Sequence, residues 1–497
     1  MARQDAALRP SRIRSARPFC LLVLAGLGAA CGCVSPRPGH GPAALAGVPV
    51  VPRWTFTQDR SCYTDEGLVR FRARLLRPGA RPALLRVELR PSAGAPVRAE
   101  VGFEKGGAEG SFPTAGLPLG PHVLAAWLVE GGVAVDSQEV RFARLAPAAH
   151  EVKVDLFTRG LLVQGQPFLP IGLYWLRAEG LGALRGEGFN AGDYYYKLHG
   201  DEITALLDSA AAAGVGVLVE LTPYIRGRPE PDQAAIDSMV ARYRGHAGLL
   251  VWYIVDEPAD AAVPRSALEK VYRRVQELDP YHPVYLVNNR PAAYVDYAGA
   301  SDILAVDVYP VPRQPLTRVH ECVAQARWAT LDRKPVWLVA QAFGGVEQWP
   351  RPPTPAELRN MVFQGLAAGA RGVLFYRLCG AEERRIQPEP LWQEVQDLAR
   401  QLRDLAPVLL TRDEPLHPDV GQGIDAALWP YRQEHYLLAV NLTAEPRPLR
   451  LSLAGLPPVG RAETLTGGPT PRLAGGHLEV GMEPLGAHLY RLEPARL

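Results

Sequence analysis

The sequence predicts an α/β protein: a (β/α)8 barrel of the TIM type carrying a small β-sandwich on each side. Three observations support this. First, apolar strand-like runs alternate with helical stretches eight times between residues 152 and 407, and a TIM barrel takes about 250 residues. Second, those runs are near-continuous Val, Leu and Ile, as parallel strands buried on both faces require. Third, the pattern changes on both sides to short strands alternating apolar with polar and punctuated by Gly and Pro, which is antiparallel sandwich patterning.

The eight runs are Phe168–Tyr174, Phe189–Tyr195, Val215–Leu221, Leu249–Val255, Val284–Asn288, Ile303–Val308, Val336–Ala340 and Val373–Tyr376. Helix ends lie between them. Ser266-Ala-Leu-Glu269 and Thr354-Pro-Ala-Glu357 read as capping boxes, the second with Pro355 at the first helical position. Gly214 and Gly369 read as C-terminal stops. A doubly wound sheet is the alternative topology, but no Gly-rich phosphate loop follows the first run. The flanking sandwiches are expected over 51–149, where Val69–Leu75 and Leu85–Leu89 alternate, and over 408–497, where Tyr436–Leu442, Leu449–Leu453 and His488–Leu492 do so. The barrel is expected over 150–407.

The first 50 residues read as a leader and tether. Arg3, Arg9, Arg12, Arg14 and Arg17 precede an uncharged apolar run, Phe19–Ala30, which ends in small residues and Cys31. That is the layout of a signal peptide over 1–30. The run is too short to span a bilayer, which takes roughly 20 apolar residues. Gly28-Ala-Ala-Cys31 resembles a bacterial lipobox. It implies lipidation at Cys31, with Cys33 a second candidate and plain secretion the alternative. Residues 31–50, rich in Pro, Gly and Ala, read as a tether. The expected location is therefore outside the cytoplasm, with a lipid anchor as the only membrane contact.

Composition narrows the function. The chain has 497 residues, 47% of them hydrophobic, and a formal net charge of +2, so no broad basic surface for nucleic acid is implied. Only Cys62, Cys322 and Cys379 lie beyond the leader. Three scattered cysteines give neither a disulfide framework nor a zinc cluster. No cofactor is expected. Asn441-Leu-Thr443 is formally a glycosylation sequon and carries little weight.

Active sites of TIM barrels lie at the C-terminal ends of the strands. There the runs offer Tyr174 and Trp175, Asp193 with Tyr194, Tyr195 and Tyr196, Glu220, Asp256 and Glu257, Asn288 and Asn289, Asp307 and Tyr309, Gln341, and Tyr376 with Arg377. Carboxylates, amides and aromatics predominate. No His/Cys cluster has metal-ligand spacing, and no serine sits in a nucleophile elbow. Aromatic faces stack on sugar rings while amides and carboxylates bind hydroxyls, so carbohydrate is the expected partner. Any one of these residues could instead simply satisfy its neighbours inside the barrel mouth. Asp256 and Glu257 should point to opposite faces of a regular strand, so one of them faces the mouth. A carboxylic acid there, close to aromatic surface, could protonate a leaving glycosidic oxygen.

Gly248-Leu-Leu-Val-Trp-Tyr-Ile-Val-Asp-Glu-Pro258 resembles the fourth-strand segment of the large clan of retaining glycoside hydrolases. Pro167–Tyr174, Gly188-Phe-Asn190, Asp302–Pro310 and Gly369–Tyr376 resemble its first, second, sixth and eighth strands. The resemblance covers the barrel, roughly half the chain. It implies a glycoside hydrolase with Glu257 as general acid/base. The clan has Asn before that Glu, where this chain has Asp256, and a Glu nucleophile ending strand seven, where this chain has Gln341. An amide cannot be that nucleophile. Asp307, Glu220 and Glu347 are the candidate second carboxylates, Asp307 foremost. Asp193, Tyr195, Glu220, Asp256, Asn288, Tyr309, Gln341 and Trp349 are the expected sugar contacts. The alternative that Gln341 supports is a non-catalytic carbohydrate-binding lipoprotein on a decayed barrel. A lyase or transglycosylase is a lesser one.

Overall fold

The computed structural model describes residues 52–76, 83–194, 197–346, 348–377 and 388–495. Eight parallel strands close into a barrel in chain order. They are β1 (Ile171–Leu176), β2 (Ala191–Tyr194), β3 (Gly216–Glu220), β4 (Leu249–Asp256), β5 (Val284–Val287), β6 (Ile303–Val308), β7 (Val336–Gln341) and β8 (Val373–Tyr376), and β8 pairs back onto β1. A helix follows each strand: α1 (Leu181–Gly186), α2 (Asp201–Ala213), α3 (Gln233–Tyr243), α4 (Arg265–Leu278), α5 (Tyr294–Tyr297), α6 (Arg318–Ala329), α7 (Pro355–Ala367) and α8 (Glu389–Leu409). This is the TIM barrel that the runs predict. The first run divides, however. Phe168 belongs to a separate short strand, and β1 begins only at Ile171, after Pro170, which has no N–H to give a ladder.

Strand alternation sorts the core into two shells. On β6, Leu304, Val306 and Val308 pack outward against the helices, whereas Ile303 and Ala305 join the barrel interior with Tyr253, Tyr285, Trp337 and Leu374. Three antiparallel strands, Val152–Asp155, Gly160–Val163 and Gln166–Phe168, form a small sheet before the barrel. Its Val152, Val154 and Leu161 pack into that same interior cluster, and Val152 N–H donates to the Tyr281 carbonyl at 3.0 Å, just before β5. The sheet therefore plugs the end of the barrel from which the strands start.

Helix ends follow local chemistry. Thr354 caps α7 in a complete capping box with Glu357, and Gly214 ends α2 in the left-handed conformation at φ 68°. The box expected at Ser266 does not form. Helix α4 begins at Arg265 behind Pro264 with no side-chain cap, and Glu269 instead binds Arg265 one turn back at 2.7 Å.

Ahead of the barrel, a three-stranded sheet (Trp54–Gln58, Leu68–Leu75, Gly107–Pro113) faces a five-stranded one (Cys62–Tyr63, Val133–Arg144, Gly120–Glu130, Ala83–Arg90, Val97–Gly102). The sandwich core includes Trp54, Phe56, Phe71, Leu85 and Leu124. After the barrel, a four-stranded sheet (Ile424–Tyr431, Glu434–Asn441, Ala487–Pro494, Val459–Thr464) pairs with a three-stranded one (Arg447–Ser452, His477–Met482, Arg472–Ala474) around Leu437, Leu449, Leu478 and Tyr490. The buried Asn360 of α7 ties this second sandwich to the barrel, donating to the carbonyls of Asn441 (2.9 Å) and Leu485 (3.0 Å). Cys62 and Cys322 are buried free thiols; Cys379 and the leader, with Cys31 and Cys33, lie outside the described residues. No helix among the described residues is long and apolar enough to cross a membrane.

Candidate active site

At the C-terminal ends of the strands lies a cavity of about 200 Å³ lined by Tyr174, Asp256, Glu257, Val287, Asp307, Tyr309, Phe343, Val346, Trp349, Tyr376 and Arg377. Alternation explains most of its polar groups. Asp307 follows Ile303 and Ala305 on the inward face of β6, and Glu220 follows the inward Leu218 on β3. On β4 the pairing with β5 shifts between Tyr253 and Val255. The strand then ends at Asp256, and Glu257 adopts a positive φ of 43°. A regular strand would turn one of these two acids away. The left-handed residue instead brings both to the cavity, at a strain on the order of 1 kcal/mol that clusters at functional sites.

Glu257 and Asp307 are in side-chain hydrogen-bonding contact. Asn289 Nδ2 donates to Glu257 Oε1 at 2.9 Å and to Asp260 at 2.8 Å. Arg226 stands 3.6 Å from Glu257 and donates to Asp256 at 2.7 Å. Tyr253 OH donates to the other Asp256 oxygen at 2.8 Å. Burial raises the Glu257 carboxyl above its ordinary range, and the Asp307 contact partly opposes this. Asp307, 6% exposed, is pushed well up by burial and then by the charge of Glu257. Two buried carboxyls in contact cannot both ionise readily, so the pair holds a proton. Asp256 is raised by burial. Glu220 is pushed up to about 8 by burial and then by Asp256.

Aromatic rings wall the cavity. Tyr309 stacks on Tyr376 with centroids 5.7 Å apart, and Phe343 meets both edge-on. Trp349 stands edge-on to Tyr309 and anchors its indole N–H on the Tyr309 carbonyl at 3.1 Å. The Arg377 guanidinium lies 4.5 Å over the Trp175 ring.

The structure thus brings Glu257, Asp307, Asp256, Tyr309 and Trp349 together on the cavity, with Glu220 close behind Asp256. Three predicted contacts are placed elsewhere. Gln341 is wholly buried: its amide accepts from Val311 N–H and donates to the Val311 carbonyl, both at 2.9 Å, so it clasps the segment after β6 and presents no surface to a ligand. Asn288 is wholly buried too, accepting from Arg290 N–H at 3.0 Å. Outward Leu286 puts Asn288 on the outer face and Asn289 on the inner one, so the amide that reaches Glu257 is the next residue along. Asp193, 1% exposed, receives the Trp175 N–H at 2.8 Å and supports the rim from behind. Tyr195 and Glu347 lie outside the described residues. Sequence reasoning missed Arg226 and Asn289 as partners of the acids. Arg226 comes from the segment following β3, where no motif marked it. No cluster of three or more His, Cys, Asp or Glu among the described residues is arranged to hold a metal ion.

No protein-family model and no curated protein sequence matches the chain. Among solved structures it is similar in outline to a cyclomaltodextrinase, with 10% identity over 87% of this chain and 98% of that one and a TM-score of 0.49. An Anoxybacillus alpha-amylase matches at 12% identity over 64% and 90% of the two chains, TM-score 0.47. A Dictyoglomus thermophilum beta-D-glucuronidase matches at 15% identity over 71% and 69%, TM-score 0.39.

Proposed function

We propose that the chain is a glycoside hydrolase acting on an oligo- or polysaccharide outside the cytoplasm. The observation that carries this reading is the contact of Glu257 with Asp307 inside a cavity walled by aromatic rings. Glu257 is the general acid. Burial raises its carboxyl and so favours the protonated form, and once substrate parts the pair the shared proton passes from Glu257 to the glycosidic oxygen as the bond from the anomeric carbon to that oxygen breaks. Asp307 is the second carboxylate, either attacking the anomeric carbon or drawing a proton from the water that does. Substrate has to part the pair: nucleophilic attack needs the carboxyls about 5–5.5 Å apart, and a bridging water about 6.5–9.5 Å. Asn289 and Arg226 then hold Glu257 in place, while Tyr309, Trp349 and Asp256 contact sugar.

The test is turnover of a glycan panel by the chain and by Glu257→Gln. A loss of about 10²–10⁴-fold is expected; unchanged turnover would remove Glu257 from the mechanism. The basic and apolar segment before Cys31 supports export with a lipid anchor. Labelled fatty acid should enter the wild type and not Cys31→Ala, and equal labelling of both would overturn the anchor.

One observation favours a second reading, a barrel that binds glycan without cleaving it. Gln341, at the position where the resembled clan carries its nucleophile, is committed to Val311. Glycan binding with no turnover on any substrate would establish that reading instead.

A further inference from the structure

A second cavity, of about 80 Å³, lies at the other end of the barrel, between the first sandwich, the small sheet that plugs the base and the segment ahead of β7. Four arginines line it, Arg72, Arg74, Arg159 and Arg333, against two acids, Asp332 and Glu414. Alternation places the first two. Phe71 and Ala73 enter the sandwich core, so Arg72 and Arg74 face the other way, opposite Thr57 and Thr55 on the neighbouring strand. The Arg72 guanidinium rests 4.3 Å from the centre of the Phe157 ring, which also lines the cavity.

The acids do not balance the arginines. Asp332 is shared by Arg159 at 2.7 Å and Arg327 at 2.8 Å. Glu414 is shared by Arg159 at 2.8 Å and by Arg74 and Arg327, each at 3.5 Å. Arg72 has Glu109. Arg333 has no acidic partner among the described residues; its guanidinium donates to Gln138 Oε1 alone. Five guanidiniums thus meet three carboxylates, and two positive charges are left over in a partly buried place, where an unmatched charge is costly. The cavity has room for several waters, and so for one small polyatomic ion. A carboxylate would bring one charge and two oxygens in a plane. Phosphate or sulfate brings two charges and oxygens pointing in several directions, towards guanidiniums that arrive from the sandwich, the plug and the barrel.

We propose that this cavity binds a tetrahedral dianion, a phosphate or sulfate held free or as the phosphate group of an ester, with Arg72, Arg74 and Arg333 as its donors. The bound anion ties the first sandwich to the base of the barrel. The site is independent of whatever the barrel mouth binds.

Calorimetry on the full chain tests this with inorganic phosphate, inorganic sulfate, methyl phosphate and acetate. Sodium chloride holds one ionic strength throughout, so that screening is the same for each. Saturable binding of one phosphate or sulfate per chain is expected, about tenfold or more tighter than acetate. Arg333→Gln loses a charge-assisted donor and should weaken that binding by about tenfold or more. The melting temperature should rise with the bound anion in the wild type, against chloride at the same ionic strength, and not in the variant. Should Arg333→Gln not fold, Arg74→Gln, at a side chain 38% exposed, carries the same expectation. A free ion that binds tighter than methyl phosphate makes the ligand an inorganic anion, and the reverse makes it an ester; either result sustains the site. Acetate as tight as phosphate and sulfate, no saturable binding of any tetrahedral anion, or an affinity unchanged by both substitutions would overturn it.

Discussion

At the scale of single residues, the site is governed by carboxyls withdrawn from solvent, Glu220 and Asp307 most of all. Glu220 shows the consequence for stability. Its carboxyl lies near pH 8 in the fold against an ordinary 4.5, so the folded chain holds a proton that the unfolded chain has released over that interval. Folding stability from this group is complete below about pH 4.5 and is lost as pH rises towards 8. Thermal melting should therefore drop by several degrees between pH 5 and pH 8.5. In Glu220→Gln, which cannot titrate, the drop should shrink clearly. An identical pH profile in the variant would place the titration elsewhere.

Asn288 and Asn289 mark where residue-level reading from sequence stops. Both stand at the end of an apolar run, and which one faces inward depends on where β5 ends to within a single residue. Glu257 poses the same difficulty. Nothing in Val-Asp-Glu-Pro announces the positive φ that brings both acids to one cavity. The carboxylate inventory of the rim was legible because each acid follows an apolar strand. The contact between Glu257 and Asp307 was not, because it joins two strands 50 residues apart and depends on the register shift in β4.

At the scale of elements, the barrel strands were legible because burial on both faces forces nearly unbroken Val, Leu and Ile. Their ends moved where proline or pairing intervened, as at Pro170 before β1. Gln341 belongs to this scale. Its amide works as a clasp, binding the N–H and carbonyl of Val311 across from the end of β7. The clasped segment follows Tyr309 and so fixes one aromatic wall. Gln341→Leu removes both bonds and leaves two buried backbone groups unpaired, at a cost of about 1–3 kcal/mol for each. The expected result is a lower melting temperature together with weaker glycan binding. Unchanged stability would show that water takes over the amide's bonds. Gln341→Glu offers no simple restoration of a nucleophile, because a carboxylate has no donor for the Val311 carbonyl.

At the scale of the whole molecule, ion pairs bind the parts end to end. Arg159, in the turn between the first two strands of the plug sheet, binds Asp332 ahead of β7 at 2.7 Å and Glu414 beyond α8 at 2.8 Å. Arg74 of the first sandwich reaches the same Glu414 at 3.5 Å. Arg159 is 4% exposed, but Asp332 and Glu414 are about a third exposed and also pair with Arg327, so its removal should cost between the ~1 kcal/mol of an exposed pair and the ~3 kcal/mol at which fully buried pairs begin. Arg159→Met should lower the unfolding free energy by that order in urea titration. A loss under 1 kcal/mol, the scale of an exposed pair, would mean that the cluster is solvated. The composition of the sandwiches foretold their existence but not these links, since surface and buried arginines look alike in sequence.

The plug sheet has one more consequence. With Val152, Val154 and Leu161 packed into the base of the barrel, the site is a blind well and not a tunnel. Among the described residues the barrel base offers no way out, so whatever enters leaves on the side of the strand C-termini. A glycan chain cannot thread through and be advanced ring by ring along the barrel axis. If the chain is the hydrolase proposed above, released product would leave by the side from which the next substrate arrives, so the two would compete for that opening and accumulating product would slow turnover by occupancy.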